Sequence, residues 1–380
     1  VNRRLAQSMT PEWRFILACA RLRTDPAAVA AAAREVRAWE TLVALACKHH
    51  LAPLVLRAGD ACGPGAIPEA VREQLLLERQ KTIALNSVYL RQAGEALRAF
   101  LQAGLAPIVL KGVALTEPLY GDIGLRAFCD LDVLFSRDDI PRAETVLADL
   151  GYQAEPTSHL RSWYFENYYQ LPRHSRPRSR FCVELHWDFG RRPNPFRLDV
   201  DAMRARAVAA TVAGADVRRL DPQDELLHLC IHLAWGNGFD RHLRGLVDIA
   251  ETLRRGIDWS VFEQRVVQTN TAQVAVPALE LATWLLDAPV DRAALGRLQR
   301  KRGGALSRYV TEIGQSRVLT GGDGHHTLMR LFWMERFAER VHLLKQNFGA
   351  VEIAEMDSRP KLITRLAGGM RRAIAPFFHA

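Results

Sequence analysis

The residues of this chain best suited to chemistry are two closely spaced aspartates and a distant glutamate. In Cys129-Asp130-Leu131-Asp132-Val133-Leu134-Phe135 polar and apolar residues alternate, and a strand period of two sends the carboxylates of Asp130 and Asp132 to one face. Glu184 stands in a second strand-like run, Phe181-Cys182-Val183-Glu184-Leu185-His186-Trp187. An acid in such apolar company is costly to bury unless a cation or base compensates it. Three acids converging on one sheet face would bind a hard divalent cation such as Mg²⁺ or Mn²⁺, so Asp130, Asp132 and Glu184 are the candidate metal ligands and catalytic residues. Upstream, Ile108-Val109-Leu110 breaks at Lys111-Gly112, as a buried strand does at a glycine turn that opens a helix. Such a turn lets backbone N–H groups approach a phosphate, with the helix dipole adding to the attraction. Lys111 and Arg126 flank the motif and either can neutralise phosphate oxygens.

These residues need elements to hold them. Residues 10–57 read as two or three helices, with Trp13, Ile16, Leu17 and Ala20, then Trp39, Leu42, Val43 and Ala46, at helical spacing; His49-His50 reads as a polar helix end. A Gly- and Pro-rich loop over 60–68 precedes one long helix from Glu69 to Ala103, which delivers the chain to the first strand at Gly104. A helix from Ala114 to Tyr120 follows the glycine turn. Another, from Asp138 to Leu150 with Ser136 as N-cap, packs the back of the sheet before a short strand at Tyr152–Ala154. The aromatic stretch Trp163–Gln170 and the basic turn Arg173–Arg180 together read as a hairpin feeding the Glu184 strand, its aromatics suited to sheet packing more than to nucleic acid.

A second hairpin spans Ala209–Leu220, and Asp221-Pro222 is a helix start. That helix puts Glu225, His228 and His232 on one stripe; without the glutamate of H-E-x-x-H, buried histidines are expected there rather than zinc. Arg244 and Asp248 lie one turn apart. From Trp259 on the chain reads as helical, with a loop at Gly321–His326, strong periodicity at Leu328–Phe348, and a basic amphipathic tail over Leu362–Ala380 that reads as a docked or frayed end.

At 380 residues and 48% apolar content the chain can bury a substantial core in two or three domains. The net charge of +9, mostly arginine, favours anionic ligands. No apolar run reaches the roughly 18 residues needed to span a bilayer. Six scattered cysteines without a C-x-x-C pair suit reduced thiols, so a cytoplasmic protein is expected.

The order of strand, glycine turn, helix, Asp-x-Asp strand and later single-acid strand resembles the polymerase-beta-like nucleotidyltransferase superfamily. K-G-V-A-L, L-R-A-F-C-D-L-D-V-L and E-L-H-W are similar, more closely, to a bacterial family of uncharacterised nucleotidyltransferases, over about Leu105–Trp187 and more weakly to Trp259. The resemblance implies an α+β fold: a small mixed sheet with helices on its back (104–200) between N-terminal (1–103) and C-terminal (201–380) helical regions. It implies metal-dependent transfer of a nucleotidyl group from an NTP, ATP being expected, to a hydroxyl or phosphate of a small molecule, peptide or protein, with nucleic acid not favoured as partner. Lys111, Gly112, Val113 and Arg126 would then meet the nucleotide, and His186, His232, Arg244 and Asp248 are candidate substrate contacts. The superfamily usually carries Gly-Ser at the turn, where this chain has Gly112-Val113. A nucleotide-binding or toxin-neutralising module of weak chemistry, or an RNA-directed transferase, are the alternatives.

Overall fold

Strand β2 (Asp130–Leu134) lies parallel to β5 (Cys182–His186), with Asp132 opposite Glu184 and Leu134 opposite His186. Alternation along both strands turns Leu131, Val133, Val183 and Leu185, all fully buried, to one face and leaves Asp130, Asp132, Glu184 and His186 on the other. The computed structural model describes residues 9–239, 243–320, 325–334, 339–341 and 343. Strand β1 (Ile108–Val109) runs antiparallel to β2 and parallel to β7 (Ala215–Arg219), and β7 pairs antiparallel with β6 (Val208–Val212). On the other flank β4 (His174–Ser175) and β3 (Gln153–Ala154) complete the mixed order β3-β4-β5-β2-β1-β7-β6. The fold is α+β.

The long helix Glu69–Gln102 and the helix Ile140–Asp149 cover the back of the sheet, where Ala93, Leu97, Phe100, Ile140 and Leu147 join Leu131 and Val133 in one core. A larger core covers the front. It takes Ile108, Leu110 and Leu134 from the sheet, Phe15, Ile16 and Val55 from the N-terminal helices, and Leu226, Val247 and Val276 from the C-terminal ones. Helices remote in sequence therefore share one apolar interior. Buried His49, at the end of helix Trp39–Lys48, ties them further: its Nδ1 accepts the Leu243 amide at 3.3 Å. Among the described residues no helix is long and apolar enough to cross a membrane.

Several elements differ from expectation. The N-terminal stretch forms four helices, Pro11–Cys19, Pro26–Glu35, Trp39–Lys48 and Ala52–Ala61, because proline in the first turn restarts the helix at Pro26 and Pro53. The aromatic stretch expected in a hairpin is the helix Arg161–Asn167, whose last turn is closed by the Tyr168 amide on the Tyr164 carbonyl, so that the Tyr164 and Tyr168 rings meet at i+4. The hairpin expected at Ala209–Leu220 is β6–β7, so the sheet extends past residue 200. The helix after the glycine turn begins at Lys111 and widens into a π turn over Thr116–Tyr120. His325 and His326, expected in a loop, start the helix His325–Trp333, and the amphipathic tail lies outside the described residues.

The irregular segment between the glycine turn and β2 is held from both sides. Asn86 of the long helix donates to the carbonyls of Ile123 (2.6 Å) and Arg126 (2.8 Å), and Arg244 donates to that of Ala127 at 2.6 Å. Arg126 is buried, and its Nε and Nη2 donate to Asp248 Oδ1 and Oδ2 at 2.9 and 2.7 Å, while Nη1 donates to the Gly112 carbonyl at 3.0 Å. Tyr120 Oη donates to Asp248 Oδ1 at 2.7 Å. The clamp joins the glycine turn to helix Arg244–Arg254, with burial of Asp248 outweighed by Arg126 so that its carboxyl sits below the usual range.

Removing one partner of a buried ion pair costs about 3–5 kcal/mol, because the other charge is left without compensation. Arg126→Ala and Asp248→Ala should each lower the unfolding midpoint sharply, whereas Arg126→Met combined with Asp248→Leu should lose less than the sum, read from denaturant titrations. Glu225 gives a second, pH-dependent expectation. Burial pushes it from 4.5 up to about 7 despite its 2.8 Å contact with Arg219. The folded chain therefore holds this proton where the unfolded chain has lost it, so its contribution falls as pH rises from about 4.5 to 7 and is flat above. Melting temperatures across that window should show a smaller decline in Glu225→Gln than in the parent.

Candidate active site

Parallel pairing brings Asp132 and Glu184 side by side, and three cations from three segments meet them. Lys111 Nζ lies 2.6 Å from Asp132 Oδ2, His186 Nε2 lies 3.0 Å from Asp132 Oδ1 and 3.5 Å from Glu184 Oε2, and Arg173 Nε donates to Glu184 Oε1 at 2.8 Å. Asp132, Glu184 and His186 are all buried, and one donor atom from each lies within 4.8 Å of the others, a group that could hold a metal ion. Asp130 shares their face but opposes Cys182, two pairs away in the register, and is more exposed. It falls outside that group of three.

Gly112 lies directly against the acids. A Cβ there would be 3.4 Å from Asp130 Oδ1 and 3.8 Å from Asp132 Oδ2, and its φ of +31° is one that residues with side chains rarely adopt. Lys111 also has positive φ, 21°, so the turn as a whole is bent to swing its ammonium over Asp132.

Burial pushes the Asp132 carboxyl up, helped by the nearby charges of Asp130 and Glu184 and opposed by Lys111. Burial also opposes ionisation of Glu184, but its His186 hydrogen bond and the Lys111 charge outweigh it and hold that carboxyl well below the usual range. Burial disfavours the charged forms of Lys111, His186 and Arg173 as well; in each the facing acids win and shift the group toward its charged form.

The helix Pro222–Ile231 and the π turn His232–Gly236 that continues it face this network. Burial pushes His232 well below its ordinary range, with the positive charges of Lys111, His186 and Arg244 adding to the effect, and His228, packed 4.7 Å from the Phe189 ring, is pushed down likewise. Both are neutral imidazoles. Arg126 and Asp248 are engaged with each other in the clamp, and Val113 is buried in the core that holds Leu131 and Val183. Sequence reasoning missed Arg173 as the partner of Glu184; its signal was the basic turn immediately before β5. It also missed His186 as a member of the ligand group, although the alternation 182, 184, 186 puts it on the face of Glu184.

A family model described as an uncharacterised nucleotidyltransferase matches residues 35–287, more than half of the chain. The match is wider than the resemblance around the motifs, running from helix Trp39–Lys48 to helix Ala272–Leu286 and so taking in both helical flanks of the sheet. No curated protein and no solved structure matches. The chain belongs to this family of uncharacterised nucleotidyltransferases and is an enzyme of the transferase class.

Proposed function

We propose that the protein moves a nucleotidyl group from an NTP, with ATP the expected donor, to a hydroxyl or phosphate of a small-molecule, peptide or protein acceptor. The observation that carries this reading is the convergence of Asp132, Glu184 and His186, buried beside the glycine turn within the span that matches the family. Their oxygen, oxygen and nitrogen donors fit Mn²⁺ as well as Mg²⁺, with Asp130 available on the same face. A divalent ion bound there would neutralise phosphate oxygens as a Lewis acid.

The chain's own groups have distinct tasks in this reading. The acceptor oxygen attacks the α-phosphorus, the bond to the β-phosphate oxygen breaks, and pyrophosphate leaves. Glu184 is the carboxylate assigned to accept the acceptor's proton, and because its contacts with Arg173 and His186 make it a weaker base, that role requires them to loosen when substrate binds. Lys111, held cationic at the turn, offsets negative charge on the triphosphate, and the turn's backbone amides approach it where Gly112 leaves room. His232, its charged form disfavoured by burial and the nearby Lys111, flanks the acidic cluster without adding charge.

A second reading, a nucleotide-binding module of weak chemistry, draws on the same contacts: Lys111 pairs with Asp132 and Arg173 with Glu184, so both carboxylates are engaged by side chains. Pyrophosphate release with each NTP and Mg²⁺ or Mn²⁺ separates the two readings. Under the transferase reading, turnover vanishes on chelation, and Asp132→Asn or Asp130→Asn lowers it at least a hundredfold while the chain still unfolds cooperatively. Full activity in either variant would exclude these metal ligands. Glu184→Gln should lose turnover much more than NTP affinity, and equal losses would remove its role as proton acceptor. Lys111→Ala should weaken ATP binding and leave adenosine binding unchanged, measured by calorimetry.

A further inference from the structure

Several arginines of the fold have acids as partners: Arg126 has Asp248, Arg265 has Asp221 and Asp224, Arg254 has Glu251. Two arginines beside the candidate site do not. Arg330, on helix His325–Trp333, is buried, yet its Nε and Nη2 donate only to the carbonyl of Trp235, at 3.1 and 2.6 Å, and its guanidinium lies 5.0 Å over the Trp235 ring. Arg191, in the loop after β5, has its Cζ 6.0 Å from the Tyr168 ring and a buried Nε without a hydrogen-bond partner. Among the described residues no carboxylate pairs with either one.

Burying a guanidinium without an opposite charge is unfavourable, and burying two near each other adds repulsion. Burial, followed by the Arg191 charge, pushes Arg330 down to about 10, against the pull of Tyr169 and Tyr168. The fold accepts this arrangement in one particular place. Tyr168 stacks on Tyr169 at 4.6 Å, and Tyr169 lies 5.6 Å from the ring of His186. Trp235, which anchors Arg330, belongs to the π turn that begins at His232. Both arginines are thus linked to the acidic cluster through elements that build it. Two planar forks with free donors match the oxygens of a phosphate-type anion, which would supply the missing charge to both.

We propose that Arg191 and Arg330 form an anion subsite for a phosphate or pyrophosphate group, joined to the acidic cluster by the Tyr168–Tyr169 pair. That this anion is part of a substrate rests on the nucleotidyl-transfer reading; the affinity for it does not. The source is either the donor's β,γ-phosphates or a phosphate on the acceptor.

The test is calorimetric titration of the whole chain with inorganic pyrophosphate and with ATP, metal-free in chelator, for the parent, Arg191→Gln, Arg330→Gln and Arg330→Lys, with melting temperatures recorded for each. Among the described residues the Arg191 Nε has no hydrogen-bond partner, so its variant should fold as the parent does. Pyrophosphate affinity is expected to fall at least tenfold in Arg191→Gln and Arg330→Gln and to be partly restored in Arg330→Lys. If ATP affinity falls in parallel, the subsite holds the donor's phosphates; if ATP affinity is unchanged, it holds the acceptor's. Pyrophosphate affinity that is absent in the parent, or equal in the parent and Arg191→Gln, overturns the subsite. Loss of that affinity in a chain that turns over no NTP upholds the subsite and sinks the transferase reading, whereas unaltered affinity in an active chain does the reverse.

Discussion

Two acids buried side by side set the terms for the rest of this molecule. Parallel pairing of β2 and β5 fixes Asp132 opposite Glu184, and both are withdrawn from water. Such a pair is tolerable only with cations at hand. Lys111 comes from the turn after β1, His186 from the end of β5 and Arg173 from the approach to β5, so charge balance at one point ties three segments together. The same geometry explains Gly112: to bring Lys111 to Asp132 the turn takes a positive φ at residue 112, which a side chain would strain, while a Cβ there would only touch Asp130 and Asp132.

The helical flanks hold this arrangement in place. The loop leading into β2 has no regular structure, and its carbonyls are satisfied by Asn86 behind the sheet and Arg244 in front. Arg126 and Asp248 then fasten the turn itself to the C-terminal helices. Arg126 is positioned by the fold to hold the Gly112 carbonyl, and its three nitrogens are occupied in doing so. A rigid surround of this kind suits a site whose groups must stay within a fraction of an ångström of each other.

Much of this was legible in the residues because it follows from short periods. Alternation along 129–135 and 181–187 placed Asp130, Asp132 and Glu184 on one sheet face, and Asp221-Pro222 marked a helix start that the structure has, with Asp221 capping Gln223 and Asp224. What stayed hidden depends on contacts between distant residues. That Arg173 meets Glu184, that Arg126 meets Asp248 across 122 positions, and that N- and C-terminal helices share a core are facts of tertiary packing. The helix Arg161–Asn167 runs against expectation because aromatic richness signals a strand by composition, and seven residues are too few for a helical period to show beyond the one i, i+4 pair Tyr164–Tyr168.

Val113 shows how these constraints combine. The resemblance leads one to expect a serine there, reaching a phosphate from the turn. Here the side chain at 113 points into the apolar core, where a hydroxyl would be desolvated without a partner. What remains on the turn to meet a triphosphate is its backbone and the ammonium of Lys111, which is engaged with Asp132. A divalent cation entering between Asp132 and Glu184 would compete with Lys111 and Arg173 for the same carboxylates. The cations that balance the acid pair are thus the ones a bound metal would release, next to where the phosphates of the proposed donor would lie. On this argument the positive charge that an incoming triphosphate needs is already present in the fold, stored in ion pairs, and the missing hydroxyl is a small loss beside it.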